Sequence, residues 1–332
     1  MSPDAPPAAA AESPTHGELS RWEGAWRAAL PLAPGGLPLH QRRWEGRAAA
    51  RAAVVLVHGI GGHSGLFDSL AVALVAQGLR VFSFDLPGHG RSAGARGVVR
   101  SWLDLRCTLE QFLSHELEPA AAGLPCLLLG HSLGGAVVLE ALLADAPAGQ
   151  GVSASPLGRR LAGVVLTNPA LSLEGVAPWR LGCGRLLSSL WPSFTLDTGF
   201  PLELACRDPE RLELYRRDPL RHSRGCARLA TELEQVCRRL QGEAPRFDLP
   251  LLLLQSGADG VTPPAAAERF FASLPPGAKT WHAYPDSRHE LFDDLDRAHV
   301  LADLARWIDQ LLPPWPTAPA STPYRRATPP AC

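Results

Sequence analysis

PCLLLGHSLGGAVVLEALL, residues 125–143, is the most informative stretch of this chain of 332 residues. An apolar run leads into the pentapeptide Gly130-His131-Ser132-Leu133-Gly134, and a second apolar run of helical character follows it. A buried strand that turns directly into a helix strains the backbone at the turn, so small neighbours are required and the central side chain projects into a cleft. The flanking glycines supply that room. The pattern predicts Ser132 as a nucleophile.

Charge and cysteine usage exclude several classes of protein. Lys plus Arg total 32 against 33 Asp plus Glu, a net charge of -1, so no nucleic acid partner is indicated. The seven cysteines include no C-x-x-C pair and no spacing suited to zinc, and we expect reduced, structural thiols. We therefore expect no metal and no organic cofactor, and the sequence does not indicate an oligomeric state.

The N-terminus lacks the pattern of a secretory signal, and both ends of the chain are of biased composition. The start, MSPDAPP, has neither the basic nor the apolar region of a secretory signal, and no stretch reaches the ~18 apolar residues of a membrane span. This indicates a cytoplasmic protein, with peripheral membrane contact left open. Residues 1–17 are rich in Ala and Pro, and residues 313–332 are rich in Pro. Both segments are predicted to be disordered tails.

Short apolar runs alternate with longer helical patterns between the tails. Continuous apolar runs are expected in parallel strands that are buried on both faces. Six such strands are predicted, at residues 53–57, 80–84, 126–129, 163–167, 251–255 and 280–284. Helices are predicted at about 66–77, 98–118, 133–145, 264–273 and 296–312, with an antiparallel edge hairpin at 37–45. The fold class is α/β, a mostly parallel central sheet with helices on both faces, built from residues 18–170 and 248–312.

Residues 171–247 break this alternation. No convincing strand is found there, so the segment is predicted to be a helical cap inserted on the sheet. One helical face, bounded by Pro178 and Pro192, is apolar: it consists of Trp179, Cys183, Leu186, Leu187, Leu190 and Trp191. Either this face packs on the main domain, or it is a lipid-facing entrance to the site. The candidate substrate-binding residues of the cap are Trp179, Leu186, Leu187, Leu190 and Trp191.

Candidates for a base and an acid follow two of the later strands. A serine hydroxyl is a weak nucleophile at neutral pH, so it needs a histidine base, and that base needs an acid to hold its tautomer. In strand-turn-helix hydrolases the order along the chain is Ser, then Asp or Glu, then His. Asp259 follows the strand at 251–255, and His289 follows the strand at 280–284. We predict a triad of Ser132, Asp259 and His289.

Other side chains compete for these two roles. Three alternative bases lie in a strand, a helix and the insertion, respectively: His282, His299 and His222. Three alternative acids lie too close in sequence to His289 to approach its ring from a separate loop: Asp286, Asp293 and Asp294. His131 is expected to shape the turn, and Glu290 to orient the loop that carries His289.

Acyl transfer also requires two N–H donors for the oxyanion. The N–H of Leu133 follows the nucleophile directly, at the start of its helix. The second donor is expected in the glycine-rich loop 57–62, whose glycines permit an inward-pointing amide, and we assign it to Ile60. The alternative for that loop is an ordinary strand-to-helix turn.

With these residues in hand, the chain resembles the monoacylglycerol lipase and lysophospholipase branch of the α/β-hydrolase superfamily, from about residue 37 to 312. The motifs that carry the resemblance are HGIGGHSG at 58–65, DLPGHGRS at 85–92, GHSLGG at 130–135, and GAD at 257–259 with HE at 289–290. The segments NPAL at 168–171 and YRRDPL at 215–220 are similar to the borders of this branch's cap. Leu133 stands where the best-known members have methionine, which leaves the backbone donor in place.

The resemblance implies a serine carboxylic ester hydrolase that cleaves monoacylglycerol-type lipid esters to fatty acid and glycerol through an acyl-enzyme. A small lipid ester is then the expected partner, with transient membrane contact through the cap. Fold and triad do not separate this reaction from those of a lysophospholipase, peptidase, lactonase or acyltransferase. An alternative from another class is a ligand-binding protein on an inactive hydrolase fold, but its signature would be lost triad residues, and all three are present.

Overall fold

The computed structural model describes residues 19–31, 33–174, 176–277 and 279–314. The tails predicted at 1–17 and 313–332 lie outside the described residues, apart from residues 313 and 314. The strands in the described part are β1 (Ser20–Leu30), β2 (Ala33–Glu45), β3 (Ala52–Val57), β4 (Leu79–Phe84), β5 (Cys126–His131), β6 (Leu161–Thr167), β7 (Thr195–Asp197), β8 (Arg224–Cys226), β9 (Leu251–Ser256) and β10 (Lys279–Tyr284).

Helices connect these strands. They are α1 (Asp68–Ala76), α2 (Trp102–Gln111), α3 (Glu118–Ala120), α4 (Leu133–Asp145), α5 (Pro178–Leu190), α6 (Pro209–Arg217), α7 (Ala227–Glu243), α8 (Pro264–Ala272) and α9 (Arg297–Leu311). A π-helical segment, Phe112–Leu117, joins α2 to α3. Short 3₁₀ helices occupy Ser64–Phe67, Val152–Ala154, Gly158–Arg160, Leu202–Leu204 and Ala244–Arg246.

Eight strands form one sheet in the order β1-β2-β4-β3-β5-β6-β9-β10. Six of these strands run parallel to one another: β4, β3, β5, β6, β9 and β10. The other two, β1 and β2, form an antiparallel hairpin on the edge at β4. Because every connection between parallel strands crosses over the sheet, the carboxyl ends of the strands lie at one edge. The predicted fold class is confirmed, and all six predicted strands are present.

Alternate side chains of the central strands build two apolar cores. Val55 and Val57 of β3 belong to the larger core with residues of α2, α4 and α7, whereas Val54 and Leu56 belong to the core with α1 and α9. Since both faces are covered by helices, these strands are apolar along their whole length. The sheet therefore holds its carboxyl-end loops on a rigid support.

Two parts of the sequence prediction need correction. The edge hairpin starts at Ser20, not at residue 37, because β1 pairs with the whole of β2 from Ser20 and Glu45 to Leu30 and Ala33. The insertion at 171–247 does contain strand, since β7 and β8 form a two-stranded antiparallel pair. Each has three residues, too few for an apolar pattern to be visible.

The insertion is tied to the sheet through α7 and β8. Leu229, Val236 and Leu240 of α7 are buried in the larger core, and the N–H of Cys226 donates to the carbonyl of Gly97 at 3.0 Å. The helix expected between Pro178 and Pro192 is present as α5, which packs on α7.

No helix among the described residues is long and apolar enough to cross a membrane.

Candidate active site

Ser132 occupies the turn between β5 and α4 with a backbone that side chains seldom adopt. Its φ is 53° and its ψ is -121°, and Asn168, with φ 44°, is the one other non-glycine residue of positive φ in the described ranges. Room for this turn comes from Gly134, where a Cβ atom would lie 2.2 Å from the carbonyl oxygen of Val57. Such a turn projects the hydroxyl of Ser132 above the carboxyl edge of the sheet.

His289 and Asp259 meet at the same edge. Nδ1 of His289 lies 2.8 Å from Oδ2 of Asp259, whose side chain is fully buried. Asp259 also accepts hydrogen bonds from the N–H groups of Val261 and Thr262 and from the Thr262 hydroxyl, at 2.7 to 2.9 Å. Since Asp259 accepts the Nδ1 proton, Nε2 of His289 is the nitrogen left to act as a base.

The ionisation of Asp259 follows from these contacts. Burial favours the neutral acid, but the charge of His289 and the hydrogen bonds from His289 and Thr262 outweigh it. They hold the pKa of the Asp259 carboxyl below its ordinary value. Asp259 is thus a charged, fixed acceptor, suited to stabilise an imidazolium at His289.

A cavity of about 290 Å³ brings the serine and the histidine together. Ser132, His289, Gly59, Ile60 and His131 line its floor. Among the described residues the Ser132 hydroxyl makes no hydrogen bond, and catalytic hydrogen bonds of unliganded enzymes often tighten only in complexes. Residues of the insertion form the opposite wall: Thr198, Phe200, Pro201, Leu202, Ala205, Tyr215, Arg216, Asp218, Arg221, His222 and Ser223.

His58 fixes the loop that carries Ile60. Nε2 of His58 accepts from the N–H of Leu86 at 3.0 Å, so Nδ1 carries the proton and donates to the carbonyl of Gly59 at 2.7 Å. In a trans peptide the carbonyl and the next N–H point in opposite directions, so this bond turns the N–H of Ile60 away from the His58 ring. Burial lowers the pKa of His58 to about 4, which keeps it neutral.

The geometry around both predicted oxyanion donors is open. No acceptor for the N–H of Ile60 or of Leu133 is found within the described ranges, and Leu133 is the first residue of α4, where N–H groups have no helical partner. Gly59 lies against the nucleophile, since a Cβ atom there would be 2.9 Å from Cβ of Ser132. The loop and the turn therefore meet directly at the cavity floor.

His131 and Glu290, the neighbours of Ser132 and His289, form an ion pair. Nε2 of His131 lies 3.2 Å from Oε2 of Glu290, and the rings of His131 and His289 are 4.8 Å apart. Burial opposes both charges, but mutual attraction prevails, so the pKa of His131 is raised and that of Glu290 is lowered from their ordinary values. The pair connects the nucleophile turn to the histidine loop.

The apolar residues predicted to bind substrate on the cap helix do not reach the cavity. Leu187 is half-buried, and four others are largely exposed: Trp179 (67%), Leu186 (61%), Leu190 (74%) and Trp191 (58%). None of the five lines the cavity. Packing of this face on the main domain is therefore the wrong interpretation. The opposite side of α5 packs instead, where Arg185 binds Glu234 and buried Ser188 accepts from Arg228.

Sequence reasoning assigned no site role to Asn168 or Arg221. Asn168 follows β6 at the sheet edge and donates to the carbonyl of His289 at 2.6 Å. Arg221 lines the cavity next to Tyr215. The position of Asn168 after a strand was the available signal, whereas nothing local marked Arg221.

In the described part of the chain, no group of three His, Cys, Asp or Glu side chains is arranged to hold a metal ion.

Comparisons with known proteins agree with this geometry. The family model described as serine aminopeptidase, S33 (Hydrolase_4) matches residues 48–296. The chain is similar to an uncharacterised abhydrolase domain-containing protein of Dictyostelium discoideum, 30% identical over 82% of this chain but 28% of that protein.

Two lipases match over nearly their full length. Mus musculus monoglyceride lipase is 30% identical over 82% of this chain and 87% of its own. A crystal structure of Paleococcus ferrophilus monoacylglycerol lipase matches with a TM-score of 0.71 and 30% identity, over 81% of this chain and 98% of that one. The chain belongs to the Hydrolase_4 family of serine hydrolases with the α/β-hydrolase fold, in its monoacylglycerol lipase branch.

Proposed function

We propose that this protein hydrolyses monoacylglycerols to fatty acid and glycerol with Ser132, His289 and Asp259 as its triad. The observation that carries the proposal is the meeting of three loops at one cavity. Ser132 stands on a strained turn facing that cavity, and His289 lines it while Asp259 holds the imidazole at 2.8 Å. Those are the positions that a nucleophile, a base and an orienting acid need.

The reaction follows in two steps. His289 takes the proton of Ser132 as the hydroxyl oxygen attacks the ester carbonyl, and the N–H groups of Ile60 and Leu133 bind the oxyanion. His289 then gives the proton to the departing glycerol oxygen. Water then loses a proton to the same imidazole and attacks the acyl carbonyl; His289 returns that proton to the Ser132 oxygen as the Ser132–acyl bond breaks and the fatty acid leaves.

The walls of the cavity suit an amphipathic ester. One part is apolar, with Ile60, Leu66, Phe67, Phe200, Leu202 and Val261, and another is polar, with Tyr215, Asp218, Arg221 and Glu290. An acyl chain fits the first and a glycerol head group the second. The names of the relatives, monoglyceride lipase and monoacylglycerol lipase, support the same substrate.

We also propose that α5 touches lipid surfaces, where such substrates reside. Its exposed leucines, Leu186 and Leu190, continue into Trp191, and exposed Leu196 and Phe200 follow in the chain. Contiguous apolar surface of this kind on a helix is typical of proteins that lie at a membrane interface. The contact would bring the substrate to the edge of the cap.

The test is the variant Ser132→Ala with a monoacylglycerol and a p-nitrophenyl ester. We expect turnover of both to fall by more than about a thousandfold while the fold is unchanged, since the nucleophile is lost. A fluorophosphonate probe should add mass to the wild type at Ser132 alone. Wild-type turnover in the variant would overturn the triad, and cleavage of aminoacyl anilides in preference to the esters would overturn the substrate class.

A further inference from the structure

Arg221, in the loop between α6 and β8, is a nearly buried cation of the cavity wall. Its side chain is 19% exposed, and its guanidinium lies over the ring of Tyr215, 4.1 Å from the centroid. Within the described ranges this side chain donates no hydrogen bond, and its buried Nη1 atom lacks a hydrogen-bond partner. A buried guanidinium nitrogen without an acceptor is costly. Because Arg221 lines the cavity that also holds Ser132, a bound molecule can supply that acceptor.

Glu290 is the acidic group that faces Arg221. Oε1 of Glu290 lies 4.0 Å from Nη1 of Arg221, too far for a hydrogen bond, while Oε2 is engaged with His131 at 3.2 Å. The wall thus offers a donor and an acceptor that face each other without a hydrogen bond between them. A hydroxyl group can bridge the two from the cavity side, because its oxygen accepts from the guanidinium and its proton is donated to the carboxylate.

Three other polar side chains of this wall already have partners, whereas Nε2 of His222 is also buried without a hydrogen bond. Arg216 donates to Glu213 at 2.8 Å, and Asp218 binds Nε2 of His63 at 2.7 Å. The hydroxyl of Tyr215 donates to Asp293 at 2.5 Å. Arg221 and Oε1 of Glu290 are the facing donor and acceptor of this wall whose hydrogen bonds a ligand would complete.

We propose that Arg221 and Glu290 form a head-group subsite that binds the free hydroxyls of a neutral glycerol monoester while its carbonyl lies at Ser132. This inference rests on the proposed function. The subsite selects against a phosphate-bearing head group, because an anion placed between the two side chains meets the negative charge of Glu290.

The experiment compares one acyl chain on two alcohols. A monoacylglycerol and the methyl ester of the same fatty acid are hydrolysed in the same detergent micelles by the wild type, by Arg221→Met and by Arg216→Met. Arg216 lines the same cavity but is already paired, so its variant is the matched control. Loss of a hydrogen bond to a charged group should lower kcat/KM of Arg221→Met on the monoacylglycerol about ten- to a hundredfold.

The kcat/KM on the methyl ester shows whether each variant is folded and whether its hydrolytic chemistry is intact. It has no hydroxyl to bind, so its kcat/KM should change less than about threefold in Arg221→Met, and Arg216→Met should keep the wild-type ratio between the two substrates. An equal loss on both esters in Arg221→Met, or no loss on either, overturns the subsite and leaves the esterase in place. A wild type that hydrolyses neither ester overturns the proposed function itself. A lysophosphatidylglycerol preferred to the monoacylglycerol by the wild type, and lost in Arg221→Met, shows an anion site instead.

Discussion

The side-chain amide of Asn168 donates a hydrogen bond of 2.6 Å to the main-chain carbonyl of His289. The same amide donates to the hydroxyl of Ser256 and accepts from its N–H, both at 2.8 Å. The preceding residue continues the link, since the N–H of Ser132 donates to the carbonyl of Thr167. Asn168 therefore joins the end of β6, which is bonded to Ser132, to the end of β9 and to the loop that carries His289.

Replacing Asn168 should misplace His289 without touching the substrate. Asn168→Gly keeps the positive φ but removes the amide, so we expect kcat on a soluble ester to fall about tenfold or more. Buried partners left unpaired should lower the free energy of unfolding by about 1–3 kcal/mol. Asn168→Ala should be less stable still, because φ 44° strains a side chain there. Wild-type kcat in both variants, measured beside urea denaturation, would contradict this positioning role.

Asp259→Asn should leave the structure intact and remove most of the activity. An asparagine cannot hold the Nδ1 proton in the same way, so we expect kcat to fall about 10³- to 10⁴-fold. Thr262→Val is the control, because it removes one hydrogen bond to Asp259 and keeps the charge. Similar losses in the two variants would show that packing of this loop, and not the carboxylate, is what matters.

The carboxyl of Asp259 also contributes stability that is lost in acid. Its folded pKa is lowered, so its contribution is present above its unfolded pKa and is lost as pH falls through the folded value. Protonation of Asp259 is therefore not expected to cause any activity loss above about pH 5.

Buried, neutral His58 should make the fold sensitive to mild acid. Its folded pKa is about 4 against 6.5 for the free side chain, so its contribution is present above pH 6.5 and is lost progressively as pH falls toward 4. Between pH 7 and 5 this loss amounts to about 2 kcal/mol. His58→Asn should be less stable at pH 7 but should lack that part of the acid loss in urea unfolding. An identical pH dependence in the two proteins would exclude His58 as a source.

The exposed face of α5 should govern contact with lipid. Leu190→Glu places a charge on a side chain that is 74% exposed, so we expect binding to phosphatidylcholine vesicles to weaken about tenfold, with unchanged turnover of a soluble p-nitrophenyl ester. Leu295→Glu is the matched control, because Leu295 is similarly exposed but lies outside the cap. Equal effects of the two substitutions in a sedimentation assay would rule out a docking role for α5.

Much of the fold is predictable from short stretches of the sequence. The apolar runs of β3, β5 and β9 were visible because strands covered on both faces cannot alternate. β1 is not predictable in this way, because buried Ala28 and its neighbours Arg27 and Ala29 form only a weak alternation of apolar and polar residues. Its pairing with β2 is a long-range property that no short window of sequence contains.

In the candidate site, too, some features are predictable from short stretches of sequence and others depend on the fold. The positions of Ser132, Asp259 and His289 at one edge of the sheet are predictable because strand ends and chain order restrict where such residues stand. The amphipathic pattern of α5 indicated an apolar face but not what that face meets, and the structure turns it to solvent. Arg221 pairs across the chain with Glu290, a relationship that depends on how the insertion folds back over the sheet.

Gly134 brings the backbone of α4 against the end of β3, where even a single added carbon would overlap the carbonyl of Val57. The main chains that carry the two N–H groups proposed to bind the oxyanion therefore lie close together, and the His58 side chain fixes the loop of Ile60. Under the proposed function, we expect substitutions in the cap to change which ester enters while the packing of these two main-chain segments around Ser132 stays constant.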